Sequence, residues 1–404
     1  MAKIKTFDDI EIRRPALATS YLHLLAAQPG RPIALFAPRR VGKTYFLDRD
    51  LTPAARQAGM LPVYADIWLN IEAPLEAINH ALEEALDDLI VPTTGAGRLA
   101  KTPVKGVGAF GASLSLGDEP KRRDLPARPE LRFDALVSRL ATLSKRTVLL
   151  MLDEIQSLGK TEGGTRTIGS LRAVLQKRKD QVCAVFTGSS QEELSAMTMT
   201  AGAPMYQFTQ MLTFPYLDES YLKQLAAHFS DVHPGKRLDL QALERAFAHI
   251  GSRPALMKDI VKSMSAEGMV NVALGLRRFV ESGPLVASWK ALFDDRDRLD
   301  QLTLIALAHR LAPTSKGTIE LLAQAGPPDV TLSKIRTALL RLKKERILSK
   351  PGADYVIDDP LFADYLLTLA PLQGVAGAKT PAIGKAQKTP TKKPASRAMP
   401  PGRK

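Results

Sequence analysis

Ala37-Pro38-Arg39-Arg40-Val41-Gly42-Lys43-Thr44 is the stretch on which the reading of this 404-residue chain turns. It follows residues 32–37 (PIALFA), a short apolar run between Pro29-Gly30 and Pro38. Such a run, with such flanks, reads as a buried strand, and a helix should begin near Gly42. The stretch matches G-x-x-x-x-G-K-[ST] at every fixed position except the first, where Ala37 stands. Each position has a physical reason. The backbone N–H groups of such a loop wrap around phosphates at a helix N-terminus, where the peptide dipoles already favour an anion. Gly42 has no Cβ, so the backbone can approach closely. Lys43 reaches the β- and γ-phosphates, and Thr44 offers its hydroxyl to Mg²⁺. Ala37 sits at the strand end, further from the phosphates, where a methyl group costs little. The loop Pro38, Arg39, Arg40, Val41, Gly42, Lys43, Thr44 and Tyr45 is thus the candidate surface for ATP.

A second stretch, Val148-Leu-Leu-Met-Leu-Asp153-Glu154, lies about 110 residues further on. Its continuous apolar run is that of a strand buried on both faces of a parallel sheet. Strands often end in acids, so the pair is informative mainly beside the first motif. In that company Asp153, at the end of a central strand next to the loop, would hold Mg²⁺ together with Thr44. Glu154 would polarise the attacking water. Asp153, Glu154 and Lys43 are the candidate catalytic groups. A third strand, residues 182–187 (VCAVFT), ends in Gly188-Ser189-Ser190. There Ser189 is the candidate sensor of the terminal phosphate, with Thr187 and Ser190 as rivals. Gly251-Ser-Arg253-Pro254 opens a helix later in the chain. Proline is ordinary at a helix start, but a helical lid folding over the nucleotide would bring Arg253 or the helix start towards it.

Strands alternate with helices before residue 218. Residues 61–68 and 147–152 read as further strands, and 17–27, 75–89, 132–141 and 171–179 as helices. That alternation predicts an α/β core, a parallel sheet with helices on both faces, over residues 1–217. Residues 92–130, rich in Gly, Pro, Arg and Lys, break the pattern as an insertion or mobile loop. Helical periodicity then dominates over 219–229, 240–250 and 254–264 and on to 293, which predicts a helical lid at 218–297. Helices at 299–311, 315–325 and 332–345, with a hairpin at 347–357 around Pro351-Gly352, predict a winged-helix domain at 298–372. Residues 373–404 are rich in Pro, Ala, Lys and Thr and read as a disordered tail.

The net charge of +14 is uneven, because eight of the excess cations lie in residues 373–404, which carry no acid. Such a balance points to a polyanionic partner, and double-stranded DNA is the first choice. The tail has no aromatic residue on which bases could stack. The single cysteine, Cys183, rules out an intrachain disulfide. No signal-like N-terminus and no apolar run long enough for a membrane span are visible, so a cytoplasmic protein with no membrane role is expected. The histidines are scattered without metal-ligand spacing.

These residues together resemble the archaeal-type ATPase family, in the AAA+/STAND branch of P-loop proteins. The resemblance is carried by Pro38-Arg-Arg-Val-Gly-Lys-Thr44, Leu152-Asp-Glu-Ile-Gln156, Thr187-Gly-Ser-Ser190, Gly251-x-x-Pro254, and Asp358-Asp-Pro-Leu-Phe362 with Tyr365. It covers roughly residues 15–370 and implies an ATPase core, a lid and a C-terminal winged helix. Ala37 in place of the usual glycine and the basic tail are departures from it. The resemblance also implies a switch or motor that couples ATP to a nucleic acid or a protein, and a homo-oligomer would fit. The helix at 332–345 is the candidate DNA-reading element. Ile335, Leu339, Leu340 and Leu342 form its apolar face, and Lys334, Arg336, Arg341, Lys343, Lys344 and Arg346 its basic ones. The alternative is a signalling switch or scaffold whose winged helix docks protein and has no DNA role.

Overall fold

In the computed structural model, residues 6–90, 125–199, 203, 205–327, 329–350 and 353–369 are described. They form two compact units, Glu11–Leu217 and a second made of residues 6–10 and 218–369.

The first unit begins with α1 (Pro15–Ala27) and β1 (Ile33–Phe36). From Lys43 one helical run follows. It comprises α2 (Lys43–Phe46), a π-helical turn (Leu47–Leu51) and α3 (Thr52–Gln57). Then come β2 (Leu61–Asp66), α4 (Pro74–Ile90), α5 (Pro129–Ser144), β3 (Val148–Asp153), α6 (Glu162–Lys177), β4 (Val182–Gly188), α7 (Gln191–Thr198) and β5 (Gln210–Thr213). The five strands make one parallel sheet in the order β2-β3-β4-β1-β5.

Every residue of β3 and β4 is buried. Their side chains alternate between two cores, as the period of a strand requires. Leu149, Met151, Cys183 and Val185 join α1 and α2 on one face, while Leu150, Leu152, Ala184 and Phe186 join α4, α5 and α6 on the other. Strand β4 lies between β1 and β3, so Asp153 faces the loop across the end of β4. Strand β2 ends two residues sooner than its apolar run, because the Asp66 side chain accepts a hydrogen bond from the Trp68 N–H and turns the chain into a 3-10 turn, Ile67–Asn70.

Helix α6 starts nine residues earlier than its periodicity suggested. Thr161 caps it by accepting from the Gly164 N–H at 3.0 Å. Gly164 is there for close approach, since a Cβ on it would stand 2.1 Å from the Leu158 carbonyl oxygen. Of the expected insertion at 92–130, residues 92–124 lie outside the described residues, and its last two begin α5. The tail at 373–404 also lies outside them.

The second unit is built from α8 (Glu219–Val232), α9 (Leu240–His249), α10 (Pro254–Ala266), α11 (Val272–Ser282) and α12 (Val286–Asp294), followed by α13 (Arg298–Ala308), α14 (Lys316–Ala325) and α15 (Leu332–Lys344). Side chains of Asp218, Asp239, Asn271, Asp297, Ser315 and Thr331 each cap the helix that follows, which is why so many short helices can stand in series. After α15 come an antiparallel pair, β6 (Leu348–Ser349) and β7 (Val356–Ile357), and α16 (Pro360–Thr368). Three helices and a hairpin are the element order of a winged helix. Residues 6–10 belong to this unit, with Phe7 buried edge-on against His228 and Asp8 paired with Lys258 and Lys262. Among the described residues no helix is long and apolar enough to cross a membrane.

Candidate functional site

The loop between β1 and α2 carries its conformational demands at two places. Gly42 has φ +93°, and a Cβ built there would meet no protein atom within 4 Å. The space is therefore open where a close-lying ligand would need it. Arg40 holds φ +67°, an uncommon conformation for a residue with a Cβ. Val41 is buried under the loop among the residues of the first core, and Ala37 is fully buried at the strand end. The methyl of Ala37 thus packs in the core.

Lys43 is the buried cation of the loop, 7% exposed. Its ammonium donates to the carbonyls of Ala37 (2.6 Å) and Pro38 (2.9 Å), so it spans the loop it belongs to. Burial pulls its pKa down from 10.5 to about 8, against the partial support of Glu154 and Asp153. An anion seated in the loop would supply what burial removes.

Thr44 and Asp153, 109 residues apart in the chain, meet here. The Thr44 hydroxyl donates to Asp153 Oδ2 at 2.7 Å. Thr187, fully buried at the end of the intervening strand, donates to Asp153 Oδ1, which also accepts the Glu154 N–H at 3.0 Å. Tyr64 reaches Oδ2 from β2 at 3.3 Å. Tyr64 lies opposite Met151 in the ladder, so Asp153 is its diagonal neighbour on the same face, within reach of an aromatic side chain. An oxygen-rich set of this kind, one carboxylate and one threonine hydroxyl beside an open loop, fits a hard divalent cation that keeps most of its water.

Glu154 adopts the left-handed conformation (φ +57°), a strain of about 1–2 kcal/mol for a residue with a Cβ. Strain of this sort collects where the surroundings over-determine a functional geometry. Its carboxylate accepts from Ser189 Oγ at 2.8 Å and from Gln156 Nε2. Ser189 thus sits at the acidic pair, and Arg39 points Nε at the same hydroxyl from the loop side, 3.5 Å away. The Arg39 guanidinium also lies over the Trp68 ring, 4.9 Å from its centroid, and Trp68 is fixed by Nε1 donating to Ser157 Oγ at 2.8 Å.

Of the residues chosen from the sequence, Lys43, Thr44, Asp153, Glu154, Ser189 and Arg39 therefore form one connected group, with Gly42 at its open side. Tyr45 lies beside Glu11, where partial burial and that carboxylate raise its hydroxyl pKa. Arg253 belongs to the second unit, where its guanidinium donates to Asp359 Oδ1 at 3.1 Å and to the Asp358 carbonyl. Tyr64, Gln156 and Trp68 were not singled out from the sequence as site residues. Gln156 stood in the quoted acidic stretch without a role. Tyr64 and Trp68 depend on the pairing of β2 with β3, which no local pattern reveals.

The solved structures supply a comparison for this geometry. A Walker-type ATPase of Pyrococcus abyssi superposes with a TM-score of 0.55 over 89% of this chain and 99% of that one, at 16% identity. The fold is that of a Walker-type ATPase. The Orc2 protein of Aeropyrum pernix in its ADP form (TM-score 0.48, 16% identity, 89% of this chain and 94% of that one) is also similar. So is the Orc1 protein of the same organism in complex with DNA (0.45, 17%, 91% and 95%). No family model and no curated protein matches the chain. In the Walker-type layout the loop after β1 and the acidic end of β3 lie at the carboxyl ends of parallel strands, where ligands of open α/β sheets bind.

Proposed function

We propose that this chain binds ATP with Mg²⁺, hydrolyses it, and passes its nucleotide state to a partner held by the C-terminal helices and hairpin. The observation that carries the reading is the 2.7 Å bond from Thr44 Oγ1 to Asp153 Oδ2. Two residues 109 positions apart in the chain, assigned together to the same metal, meet at the mouth of the loop.

In this reading the N–H groups of 38–44 and the Lys43 ammonium hold the phosphates. Thr44 and Asp153 hold Mg²⁺, which neutralises charge on the β- and γ-phosphates when bound. Thr187 and Tyr64 fix the Asp153 carboxylate. Glu154 takes a proton from the attacking water, and Ser189 reports on the terminal phosphate beside it. Arg253 is placed in a lid at 218–297, between a core at 1–217 and a winged-helix domain at 298–372.

The partner we favour is duplex DNA, met by the outward face of α15. Ser333, Arg336, Thr337 and Lys344 are exposed there, while Ile335, Ala338, Leu339 and Leu342 face the core. Leu340, expected on the apolar face, is instead 60% exposed, because the buried stripe runs 335, 338, 339, 342 and leaves it about a quarter-turn away. That exposed leucine favours the second reading, a protein-docking surface. Phosphate release measured with and without Mg²⁺, and with and without duplex DNA at low and moderate salt, tests the proposal. Mg²⁺-dependent turnover that rises with DNA is expected. Turnover unaffected by chelation would sink the metal assignment, and indifference to DNA would favour the protein partner.

A further inference from the structure

We infer that Arg39 is a second catalytic cation, which meets the terminal phosphoryl group during hydrolysis and makes the site self-sufficient within one chain. The inference rests on the ATPase reading above and adds to it a role that Lys43 cannot fill. Lys43 is buried under the loop on two carbonyls, whereas Arg39 stands at the side where Glu154 and Ser189 converge.

The arrangement around Arg39 is specific. Its guanidinium rests on the Trp68 ring, which suits a planar, delocalised cation and leaves the edge of the plane free to donate. Trp68 is itself held at both ends, its backbone N–H by Asp66 at 2.9 Å and its indole N–H by Ser157. Arg39 is thus stacked on an anchored surface that positions it, with Nε aimed at Ser189.

Charge makes the same point. The half-buried Arg178 is matched by Asp134, Arg13 by Asp50 and Arg341 by Asp300. Among the described residues Arg39 forms no ion pair with a carboxylate, although Glu154 shares its Ser189 partner. A positioned cation left without an acid, in a loop already built for phosphates, is suited to charge that arrives with the ligand.

The step it would serve is simple to balance. The water oxygen attacks the γ-phosphorus while the bond from that phosphorus to the β–γ bridging oxygen breaks. The electron pair stays on the bridging oxygen of ADP, and Glu154 takes the proton lost by the water. Negative charge spreads over the equatorial oxygens as the phosphoryl group passes from the bridging oxygen to the water oxygen. An arginine placed there is worth about 10³–10⁵ in rate, and many such enzymes obtain it from a partner.

The test uses the full chain. ATP affinity, turnover and thermal stability are measured for wild type, Arg39→Gln, Arg39→Lys and Lys43→Ala, with wild-type turnover followed from nanomolar to micromolar protein. We expect Arg39→Gln to lower kcat by at least about 10²-fold while ATP affinity stays within a few-fold and the melting temperature holds. Arg39→Lys should not rescue it, because an ammonium keeps the charge but not the stacked fork. Wild-type turnover per chain should not depend on protein concentration. Arg39→Gln turning over at the wild-type rate would overturn the inference, and so would turnover per chain that climbs steeply with concentration, the sign of an arginine supplied in trans. If instead Lys43→Ala binds ATP as wild type does, or wild type fails to hydrolyse ATP, the underlying ATPase reading falls as well.

Discussion

The loop at residues 37–44 and the helix α15 are both rich in Lys and Arg, yet they use that charge in opposite ways. Around the loop, and among the described residues, Lys43 bonds to carbonyl oxygens, and Arg39 to a hydroxyl and an aromatic face. On α15, Arg341 makes a two-pronged contact with the buried Asp300 (2.8 and 2.7 Å) and also meets Asp297, and Lys334 pairs with Asp329. Among the described residues Lys43 and Arg39 form no ion pair with a carboxylate, although Glu154 and Asp153 lie near enough to support the charge on Lys43, whereas much of the charge on α15 is consumed inside its own unit. A count of basic residues would rank the helix above the loop as an anion site, and the pairing reverses that order.

The largest effects that sharpen this contrast belong to the loop. Lys43→Ala should weaken ATP binding by more than about 10²-fold, since several charge-assisted hydrogen bonds are lost together. Glu154→Gln should leave binding intact and slow turnover by about 10²–10⁴-fold, the usual scale for a lost general base. Asp153→Asn should remove the Mg²⁺ dependence of binding. Equal Mg²⁺ titrations for that variant and wild type would break the link between β3 and Thr44.

On the helix the expected effects are smaller and of two kinds. Arg341→Ala should cost about 2 kcal/mol of stability, the scale of hydrogen bonds to a charged group, because it strands the Asp300 carboxylate. It should change duplex affinity little. Arg336→Ala with Lys344→Ala should do the reverse, weakening duplex binding without lowering the melting temperature. If Arg341→Ala weakens DNA binding more than the double variant does, the division between spent and available charge is wrong. Deleting residues 373–404 should weaken binding to all duplexes alike and flatten the salt dependence, by about 0.9 in slope for each phosphate that the tail no longer neutralises.

A subtler effect comes from the depressed pKa of Lys43, near 8. In the empty site this lysine binds fewer protons than in the unfolded chain between about pH 8 and 10.5, so its contribution to stability rises with pH across that window. Bound phosphates should restore the charge. ATP binding at pH 8 should then take up about half a proton, and affinity should fall as pH rises above 8. Calorimetry in buffers of different ionisation enthalpy measures that uptake. Zero uptake at pH 8 would mean that Lys43 is already charged there or does not approach the phosphates.

The legible parts of this molecule are those whose physics is local. Strands β1, β3 and β4 announce themselves as continuous apolar runs because both faces are covered. The loop and the Asp153-Glu154 pair could be read because a nucleotide site would require those residues at strand ends. Non-local facts escaped. β5 is a short, half-exposed edge strand with no apolar run, and it forms only because β1 offers an open side. The place of β4 between β1 and β3 is a property of the sheet, and with it comes Thr187 against Asp153. Tyr64 and Trp68 looked like apolar strand residues, and only the pairing of β2 with β3 and the turn at Asp66 bring them to the site. On α15, Leu340 was assigned by its character, while a one-residue step around the helix decided its exposure.

The central claim is that the charge held in the loop is reserved for the phosphates of ATP. The most direct test is titration calorimetry of ATP against wild type and Lys43→Ala, each with Mg²⁺ and with EDTA, alongside their melting curves. The account predicts Mg²⁺-dependent binding by wild type, its loss in Lys43→Ala, and unchanged melting of the empty proteins. Lys43→Ala binding ATP as tightly as wild type, with the same Mg²⁺ dependence, would contradict it.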